Sequence, residues 1–160
     1  MLSDVTIKII YGLIDVESVD FKDMTELLYE SKVHQSQFDP VLELLTPTDI
    51  ESTLRTYLST GASIMLLFTD GVVVGMSIYQ VKKNRRLEGH TLYTYETAIR
   101  GGYRGRGIAG ILFNEIERAT ENKFGKIWVE CKVYYENKQS RRHLEKMGYK
   151  PFSIHMVKEP

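Results

Sequence analysis

The stretch Ile99-Arg-Gly-Gly-Tyr-Arg-Gly-Arg-Gly-Ile-Ala-Gly110 decides how the rest of the sequence is interpreted. It joins an alternating segment, Thr91 to Ile99, that predicts a β-strand to an amphipathic segment from Ile108 that predicts a helix. Glycines let successive amides turn inward, and a helix N-terminus adds free N–H groups with partial positive charge. The combination predicts a loop that binds a phosphate or pyrophosphate, with added charge from Arg104 and Arg106. The alternative is a glycine-rich turn whose arginines are only solvated.

The sequence before this loop predicts one strand, two helices and a hairpin. Val5 to Tyr11 alternates as a strand does, and Asp20 is a candidate cap for the first helix. The apolar face of that helix comprises Phe21, Met24, Leu27 and Leu28. Thr48 and Glu51 have the spacing of a capping box for a second helix. Two apolar runs, Ile64–Phe68 and Val72–Tyr79, are then joined by an Asp-Gly turn that favours a hairpin.

The sequence after the loop predicts alternating helices and strands. The helix from Ile108 is expected to end at Gly125, and Lys126 to Val133 reads as a strand with Trp128 in the core. A short helix from Asn137 to Met147 and a last strand region from Tyr149 to Val157 follow. The fold class this order predicts is α/β, with a mixed, mostly antiparallel central sheet flanked by helices in three layers.

Composition excludes several classes of protein. The chain has 160 residues, with 21 Lys plus Arg against 21 Asp plus Glu, so we expect one domain spanning residues 1–160 and no strong nucleic-acid signal. Cys131 is the single cysteine, which excludes an intramolecular disulfide and favours a small buried hydrophobe over a nucleophile. The four histidines lack ligand spacing, so no metal site is expected. Without a signal-peptide pattern or an apolar run of about 20 residues, we expect a cytoplasmic protein with no membrane contact.

One local pattern points to a nicotinamide or flavin. Gly105-x-Gly107-x-x-Gly110 matches the dinucleotide fingerprint, and Glu130 stands about 20 residues further on, where such folds carry an acidic residue for the ribose. However, five residues separate Ile99 from Gly105, an antiparallel hairpin precedes the motif, and only 50 residues follow it. These departures make the dinucleotide interpretation the weaker one.

A second pattern is more specific. Arg104-Gly-Arg-Gly-Ile-Ala109 resembles the Arg/Gln-x-x-Gly-x-Gly/Ala signature of the GNAT-type N-acetyltransferase superfamily, although Gly101 replaces a proline often found before it. Asn137-x-x-Ser140 and the later Leu144-x-x-x-Gly148-Tyr149 resemble the family's downstream motif. The resemblance covers roughly Ile64 to Pro160 and implies a GNAT-like α/β/α fold.

The resemblance also implies acetyl-coenzyme A as co-substrate and assigns residues to it. In such proteins the strand before the loop runs along the pantetheine arm, the loop amides hold the pyrophosphate, and the later helix contacts the coenzyme. The corresponding residues here are Thr97, Ala98 and Ile99; Tyr103, Arg104, Gly105, Arg106, Gly107, Ile108 and Ala109; and Asn137 and Ser140. For Asn137 a plain helix cap is an equally good interpretation.

Acetyl transfer to an amine also needs a proton acceptor and a proton for the thiolate. The resemblance makes Glu96 the candidate base, the alternative being a glutamate on an exposed strand face. Many family members carry a tyrosine where this chain has Leu144, which has no proton to give. Tyr134 or Tyr135 then replaces it, the thiolate leaves unprotonated, or transfer has been lost.

The expected activity is therefore transfer of an acetyl group to a primary amine of a small molecule, polyamine, peptide N-terminus or lysine. The alternative is a catalytically silent module that binds coenzyme A or another protein on the same fold. The acceptor remains unidentified, with Ser31 to Pro47 among the segments expected to select it. The aromatic content of 11% is compatible with an acceptor cleft or with a homodimer surface.

Overall fold

The computed structural model describes residues 4–12, 18–39, 45–84, 88–153 and 156. Five strands and four helices follow one another along these residues. They are β1 (Thr6–Ile10), α1 (Ser18–Gln35), α2 (Pro47–Ser59), β2 (Ser63–Thr69), β3 (Val72–Lys83), β4 (His90–Ile99), α3 (Ile108–Phe124), β5 (Ile127–Cys131) and α4 (Lys138–Lys146). A single 3-10 turn, Gly101–Tyr103, separates β4 from the glycine-rich loop.

The strands form one sheet in the order β1-β2-β3-β4-β5. The first four pair antiparallel, and β5 pairs parallel with β4. Asp70 and Gly71 connect β2 and β3 with φ angles of 51° and 75°. Positive φ at both central residues is the geometry that matches the twist of a two-residue hairpin, so the predicted Asp-Gly turn is confirmed.

Helices cover both faces of the sheet. On one face α1 and α2 bury the apolar stripe of α1 against alternate residues of β2 and β3. On the other face α3 packs through Ile108, Leu112 and Ile116 onto the intervening residues. Alternate side chains of a strand point to opposite faces, so the near-continuous apolar runs of the central strands supply both cores. The predicted three-layer α/β/α class is confirmed.

Gly75 of β3 lets α3 begin close to the sheet. A Cβ on Gly75 would lie 2.6 Å from Cγ2 of Ile108 and 3.2 Å from Cδ1 of Ile99. Real Cβ atoms do not approach carbon that closely, so the absence of a side chain here sets the depth of the first turn of α3. The loop that precedes α3 is positioned by the same contact.

Two of the predicted helix caps, Asp20 and Thr48, were wrong, because each lies inside its helix. The capping box of α2 joins Thr46 and Asp49: the Asp49 amide donates to Thr46 Oγ1 at 3.3 Å, and the Thr46 amide donates to Asp49 Oδ2 at 2.9 Å. Pro47 occupies the first helical position, where its fixed φ suits a helix start, so the helix begins before Thr48. Helix α1 begins at Ser18, ahead of Asp20.

Two further predictions at the β5 side of the sheet also need correction. Residues 149–153 form no strand, and residues 154, 155 and 157 of the predicted last strand lie outside the described residues. Trp128 is 42% exposed and packs edge-on against Phe152 with ring centroids 6.0 Å apart. Within the described sheet β5 is an edge strand, so one of its faces lacks the second layer that would bury a tryptophan. None of the described helices is long and apolar enough to cross a membrane.

Candidate active site

The glycine-rich loop presents a row of backbone amides at the start of α3. Gly105 and Gly107 have φ angles of 76° and 82°, and Gly107 is the N-cap of α3. The Arg104 amide donates to the Gly101 carbonyl at 3.3 Å, and among the described residues the next backbone amide that donates within the protein is that of Ile111, to the Gly107 carbonyl at 3.1 Å. Among the described residues, the amides of 105–110 have no protein acceptor. Unsatisfied N–H groups at a helix N-terminus favour an anion.

The two loop arginines have different environments. Arg104 donates from Nε to the Ile99 carbonyl at 3.1 Å and lies 3.5 Å from Glu30 Oε1. Glu30 of α1 also accepts the Gly101 amide at 2.5 Å. Arg104 therefore ties the loop to the end of β4 and to α1. Arg106 is exposed and lies over the Tyr103 ring at 5.2 Å, so its charge faces solvent in front of the loop.

Strand β4 loses its second neighbour halfway along its length. The parallel ladder with β5 ends at the pair Thr94–Cys131. From there to Ile99, β4 pairs only with β3 among the described strands. We call residues 95–99 the open edge of β4. It leads directly into the glycine-rich loop, so the two features form one continuous main-chain surface.

The register of β3 and β4 determines which backbone groups face outward at the open edge. The Arg100 amide donates to the Val74 carbonyl at 2.9 Å. Antiparallel pairs alternate between bonded and non-bonded types, so Ala98 also bonds toward β3 and the backbone of Thr97 and Ile99 faces away from it. The Ile99 carbonyl is occupied by Arg104. The Thr97 N–H and C=O groups and the Ile99 N–H group face outward.

A β-bulge in β4 places Glu96 on the α1 face of the sheet. Ile78 pairs with Glu96 and Tyr79 pairs with Thr94, so Tyr95 is an extra residue without a partner in β3. Two consecutive side chains, Tyr95 and Glu96, consequently lie on the α1 and α2 face. Tyr95 belongs to the core on that face. The predicted base therefore stands where β4 and β5 separate.

Glu96 has an ion-pair partner that the sequence analysis did not identify. Lys32 Nζ of α1 donates to Glu96 Oε1, and the two side chains are only 14% and 17% exposed. Burial and then the Glu96 charge raise the pKa of Tyr57, which places that carboxylate within electrostatic range of the tyrosine. Tyr57 and Tyr95 pack with ring centroids 5.3 Å apart. Glu96 is thus held by Lys32 beside an aromatic wall.

Tyr134 and Tyr135, the two candidate acids, are placed differently. Burial raises the pKa of Tyr134 to about 12, with further contributions from a hydrogen bond to Asp39 and from the charges of Asp39 and Glu96. Tyr134 therefore keeps its proton at neutral pH and lies in the field of Glu96. Tyr135 is 72% exposed, and its ring packs on the Arg141 guanidinium at 4.5 Å.

The start of α4 has the predicted cap. Asn137 Oδ1 accepts the Ser140 amide at 3.0 Å, so the cap interpretation accounts for that oxygen. Leu144 is 9% exposed and offers no donor.

His143 approaches the first turn of α3, with Cε1 3.5 Å from the position of a Cβ on Gly110. A cleft of about 510 Å³ beside it is lined by Lys138, Gln139, Arg142, His143 and Lys146.

Cys131 does not have the environment of a nucleophile. Burial, with the charge of Glu117, raises the pKa of its thiol to about 11, so the thiolate is scarce near neutrality. In the part of the chain that the structure describes, His, Cys, Asp and Glu side chains do not gather in groups of three or more that could hold a metal ion.

The model of the acetyltransferase (GNAT) family matches residues 21–149, which is most of the chain. The chain belongs to the GNAT acetyltransferase family. No curated protein matches it significantly in sequence.

Solved structures with this GNAT fold cover nearly the whole chain. A possible acetyltransferase from Clostridium difficile 630 is 15% identical, with 100% of this chain and 98% of that chain covered and a TM-score of 0.74. Aminoglycoside N-acetyltransferase AAC(6')-Iy in complex with CoA is 13% identical, with coverages of 98% and 96% and a TM-score of 0.69. A ribosomal-protein-alanine N-acetyltransferase from Brucella melitensis biovar Abortus 2308 is 16% identical, with coverages of 98% and 100% and a TM-score of 0.66. At these identities the likeness concerns the fold.

The GNAT family uses acetyl-CoA, and the residues of this chain fit that molecule. Its diphosphate needs donors, which the amides of 105–110 offer without internal competition. Its pantetheine arm carries amides, which can pair with the outward backbone groups of Thr97 and Ile99. Glu30 and Lys32 are the site residues that sequence reasoning missed. Lys32 lies within the segment from Ser31 to Pro47 that was expected to select the acceptor, and Glu30 is adjacent to it, so the segment was predicted but neither residue was.

Proposed function

We propose that this GNAT protein transfers the acetyl group of acetyl-CoA to a primary amine. The observation that carries the proposal is the continuity of the open edge of β4 with the glycine-rich loop. A donor-rich loop alone would fit any phosphate compound. A diphosphate that continues into an amide-bearing arm fits both parts at once.

The coenzyme would be held mainly by main chain. Amides from Gly105 to Ala109 would bind the diphosphate, with Arg106 adding charge, and Thr97 and Ile99 would pair with the pantetheine arm. The basic cleft on α4 would face the adenosine-side phosphate through Arg142. Arg104 has the role of holding the loop shape, since its guanidinium already contacts the Ile99 carbonyl and Glu30.

Glu96 is the proposed base. An aliphatic amine with an ordinary pKa of about 10.4 is protonated near neutrality and cannot attack until a proton is removed. The Glu96 carboxylate stands on the α1 face beside the outward backbone of Thr97. An outward N–H at the open edge would polarise the thioester carbonyl and stabilise the oxyanion that develops on it.

Tyr134 is the proposed acid, ahead of Tyr135. Burial raises its pKa to about 12, so it is protonated near neutrality, and the smaller contribution of the Glu96 charge to that rise means that the two groups lie within electrostatic range of each other. The leaving thiol has an ordinary pKa of about 8.5, so protonation assists its departure without being indispensable. We expect this acid to contribute less to the rate than the base does.

The second candidate function is a silent module that binds coenzyme A without transfer. Two observations favour it. Leu144 has no acidic proton to donate to the thiolate. The Glu96 oxygen that would take the substrate proton already accepts a hydrogen bond from Lys32. Both functions use the same coenzyme site, so coenzyme binding does not distinguish them. Only a measurement of amine acetylation distinguishes the transferase from the silent module.

The first experiment measures coenzyme binding by thermal denaturation. A ligand at about a hundred times its dissociation constant adds about 2.7 kcal/mol, which for a chain of this size raises Tm by roughly 5–10 °C. We expect this shift with CoA and acetyl-CoA and none with NAD. A shift with NAD alone would overturn the coenzyme assignment.

The second experiment follows free thiol released from acetyl-CoA across a panel of primary amines. Glu96→Gln keeps the shape of the side chain but removes the base, so we expect kcat to fall about a hundredfold or more with CoA affinity unchanged. Glu26→Gln, an exposed change on α1, is the control. Firm CoA binding with no turnover of any amine would select the silent module.

A further inference from the structure

The pair formed by Lys32 and Glu96 constrains what can bind beside it. Both side chains are largely shielded from solvent, at 14% and 17% exposed, and each charge is compensated by the other. Separating such a pair leaves an uncompensated charge, which is costly where water is scarce. A ligand that binds between Lys32 and Glu96 must therefore compensate two charges of opposite sign.

The neighbouring charged groups are already engaged. Glu30 accepts the Gly101 amide and lies beside Arg104, and Asp39 hydrogen-bonds with Tyr134. Tyr57, Tyr95 and Tyr134 form an aromatic wall beside Glu96, and the Lys82 ammonium lies over the Tyr95 ring, 5.5 Å from its centroid. The ion pair at this wall is one ammonium and one carboxylate in contact.

An acceptor with a positive charge alone fits this arrangement poorly. Its ammonium would compete with Lys32 for the Glu96 carboxylate. If it displaced Lys32, the Lys32 ammonium would be left without its partner. An acceptor with a carboxylate next to its ammonium meets both needs. Its ammonium binds Glu96, its carboxylate binds Lys32, and one ion pair becomes two.

We propose that the acceptor of this protein is an α-amino acid or a similar small molecule with a carboxylate adjacent to its primary amine. This inference rests on the proposed acetyl transfer and names its substrate class. Lys32 is then the residue that binds the acceptor carboxylate. When Lys32 moves toward that carboxylate, it frees the Glu96 oxygen that takes the proton. Binding of the correct acceptor therefore makes Glu96 available as the base.

The reaction balances for this acceptor. The amine nitrogen gives one proton to Glu96 and attacks the thioester carbonyl, a C–N bond forms, and the C–S bond breaks. Tyr134 supplies a proton to the thiolate and recovers one from the nitrogen. The products are the N-acetylamino acid and free coenzyme A, and Glu96 passes its proton to solvent.

The test compares amines that differ only in the carboxylate. Suitable pairs are phenylalanine with 2-phenylethylamine, leucine with isoamylamine, and lysine with cadaverine. In each pair that is turned over, we expect the amino acid to have a kcat/KM about tenfold or more higher, because the carboxylate gains a charged hydrogen bond. Equal or better turnover of the amines without a carboxylate would overturn the inference while leaving acetyl transfer standing.

Lys32→Met should invert this preference. The amino acid should lose about 10- to 100-fold in kcat/KM, since its carboxylate has no partner, while the amine without a carboxylate should be unaffected or improved because Glu96 is free. Lys32→Arg should retain the preference in direction. Lys22→Met, an exposed change on α1, should alter neither. Equal losses for both members of a pair in Lys32→Met would mean a purely structural role and would overturn the inference.

A binding measurement keeps the inference testable if no amine is acetylated. Calorimetry with the CoA-loaded protein should detect phenylalanine or leucine binding in the wild type and at least tenfold weaker binding in Lys32→Met. Such binding without turnover would support the acceptor class and refute the transferase proposal. Absence of amino-acid binding in a protein that binds CoA would refute the acceptor class.

Discussion

The proposed coenzyme side and the proposed acceptor side of this site are built from different parts of the chain. The coenzyme side consists of main-chain groups, namely the outward backbone groups of Thr97 and Ile99 and the amides of 105–110. These groups lie close together in the sequence. The acceptor side is made of side chains brought from α1, β4 and the segment after β5, namely Lys32, Glu96 and Tyr134. The first is specified locally, and the second exists only after the sheet and helices have packed.

The difference teaches how each side can vary. A main-chain surface is insensitive to the identity of most side chains, but it fails when a backbone angle is lost. A side-chain surface can change one residue at a time without disturbing the fold. This division would let one coenzyme site serve different acceptors on the same scaffold.

The largest expected effect comes from breaking the backbone of the loop. Gly107→Val puts a β-branched residue at φ 82°, where strain is about 1–3 kcal/mol, and adds carbon among the amides that face the diphosphate. We expect the dissociation constant for CoA, measured by calorimetry, to rise about 10- to 100-fold.

Gly148→Val is the matched control. Gly148 also has a positive φ, 92°, and open space where a Cβ would lie, but it follows α4 rather than preceding α3. It should lower Tm by a similar amount and leave CoA affinity unchanged. Equal affinity losses in the two variants would mean that backbone strain acts through global stability, and the main-chain binding site would be refuted.

A smaller effect is expected on the acceptor side from Tyr134→Phe. Removal of a proton donor for a thiolate that can leave unaided should reduce kcat about tenfold with little change in CoA affinity. The Tyr135 ring is exposed and packs on Arg141. Tyr135→Phe should therefore change kcat by less than about twofold, as is usual for a substitution at an exposed position. Stopped-flow thiol release would measure both. A greater loss in the Tyr135 variant would reverse the assignment.

The pH dependence sharpens the same assignment. The folded pKa of Tyr134, about 12, lies above its ordinary value of 10.0, so its contribution to stability is complete below about pH 10 and is lost as pH rises toward 12. Its proton is likewise retained throughout that lower range. The wild-type rate should therefore show no loss attributable to this group up to about pH 10. A decline that disappears in Tyr134→Phe would contradict the raised pKa.

The smallest effect is predicted for Cys131, which belongs to neither side. A thiol pKa of about 11 leaves little thiolate at about pH 8, so iodoacetamide should label the folded protein slowly compared with the unfolded protein. Cys131→Ala should keep kcat/KM within about twofold, as expected for a residue outside the chemistry. Mass spectrometry would quantify the labelling. Rapid labelling with loss of activity would bring this cysteine into the mechanism.

Much of the fold followed from local sequence signals. Asp70-Gly71 marked the hairpin because few residues adopt two consecutive positive φ angles, and the glycine cluster marked the loop before α3 for the same reason. Gly125 ended α3 as predicted. Signals of this kind act within a few residues, so no knowledge of packing is needed to interpret them.

The remaining features depend on packing and could not be predicted. Lys32 meets Glu96 across 64 residues, and no periodicity relates the two positions. The prediction that Trp128 lies in the core is wrong, because the position of β5 at the sheet edge exposes it. The bulge at Tyr95 could not be predicted either, since neither a glycine nor a proline in β4 marks it.

That single inserted residue in β4 changes the parity of the strand. Before Tyr95, even-numbered positions such as Leu92 point toward α3, and after it even-numbered positions such as Ala98 point toward α1. Deletion of Tyr95 would make Thr94 and Glu96 consecutive residues, and both could keep their pairing with Tyr79 and Ile78. The carboxylate of Glu96 would then stay on the α1 side of the sheet but would lose the adjacent Tyr95 ring. An insertion of one codon is thus enough to give an incoming amine an aromatic ring next to the carboxylate it would meet.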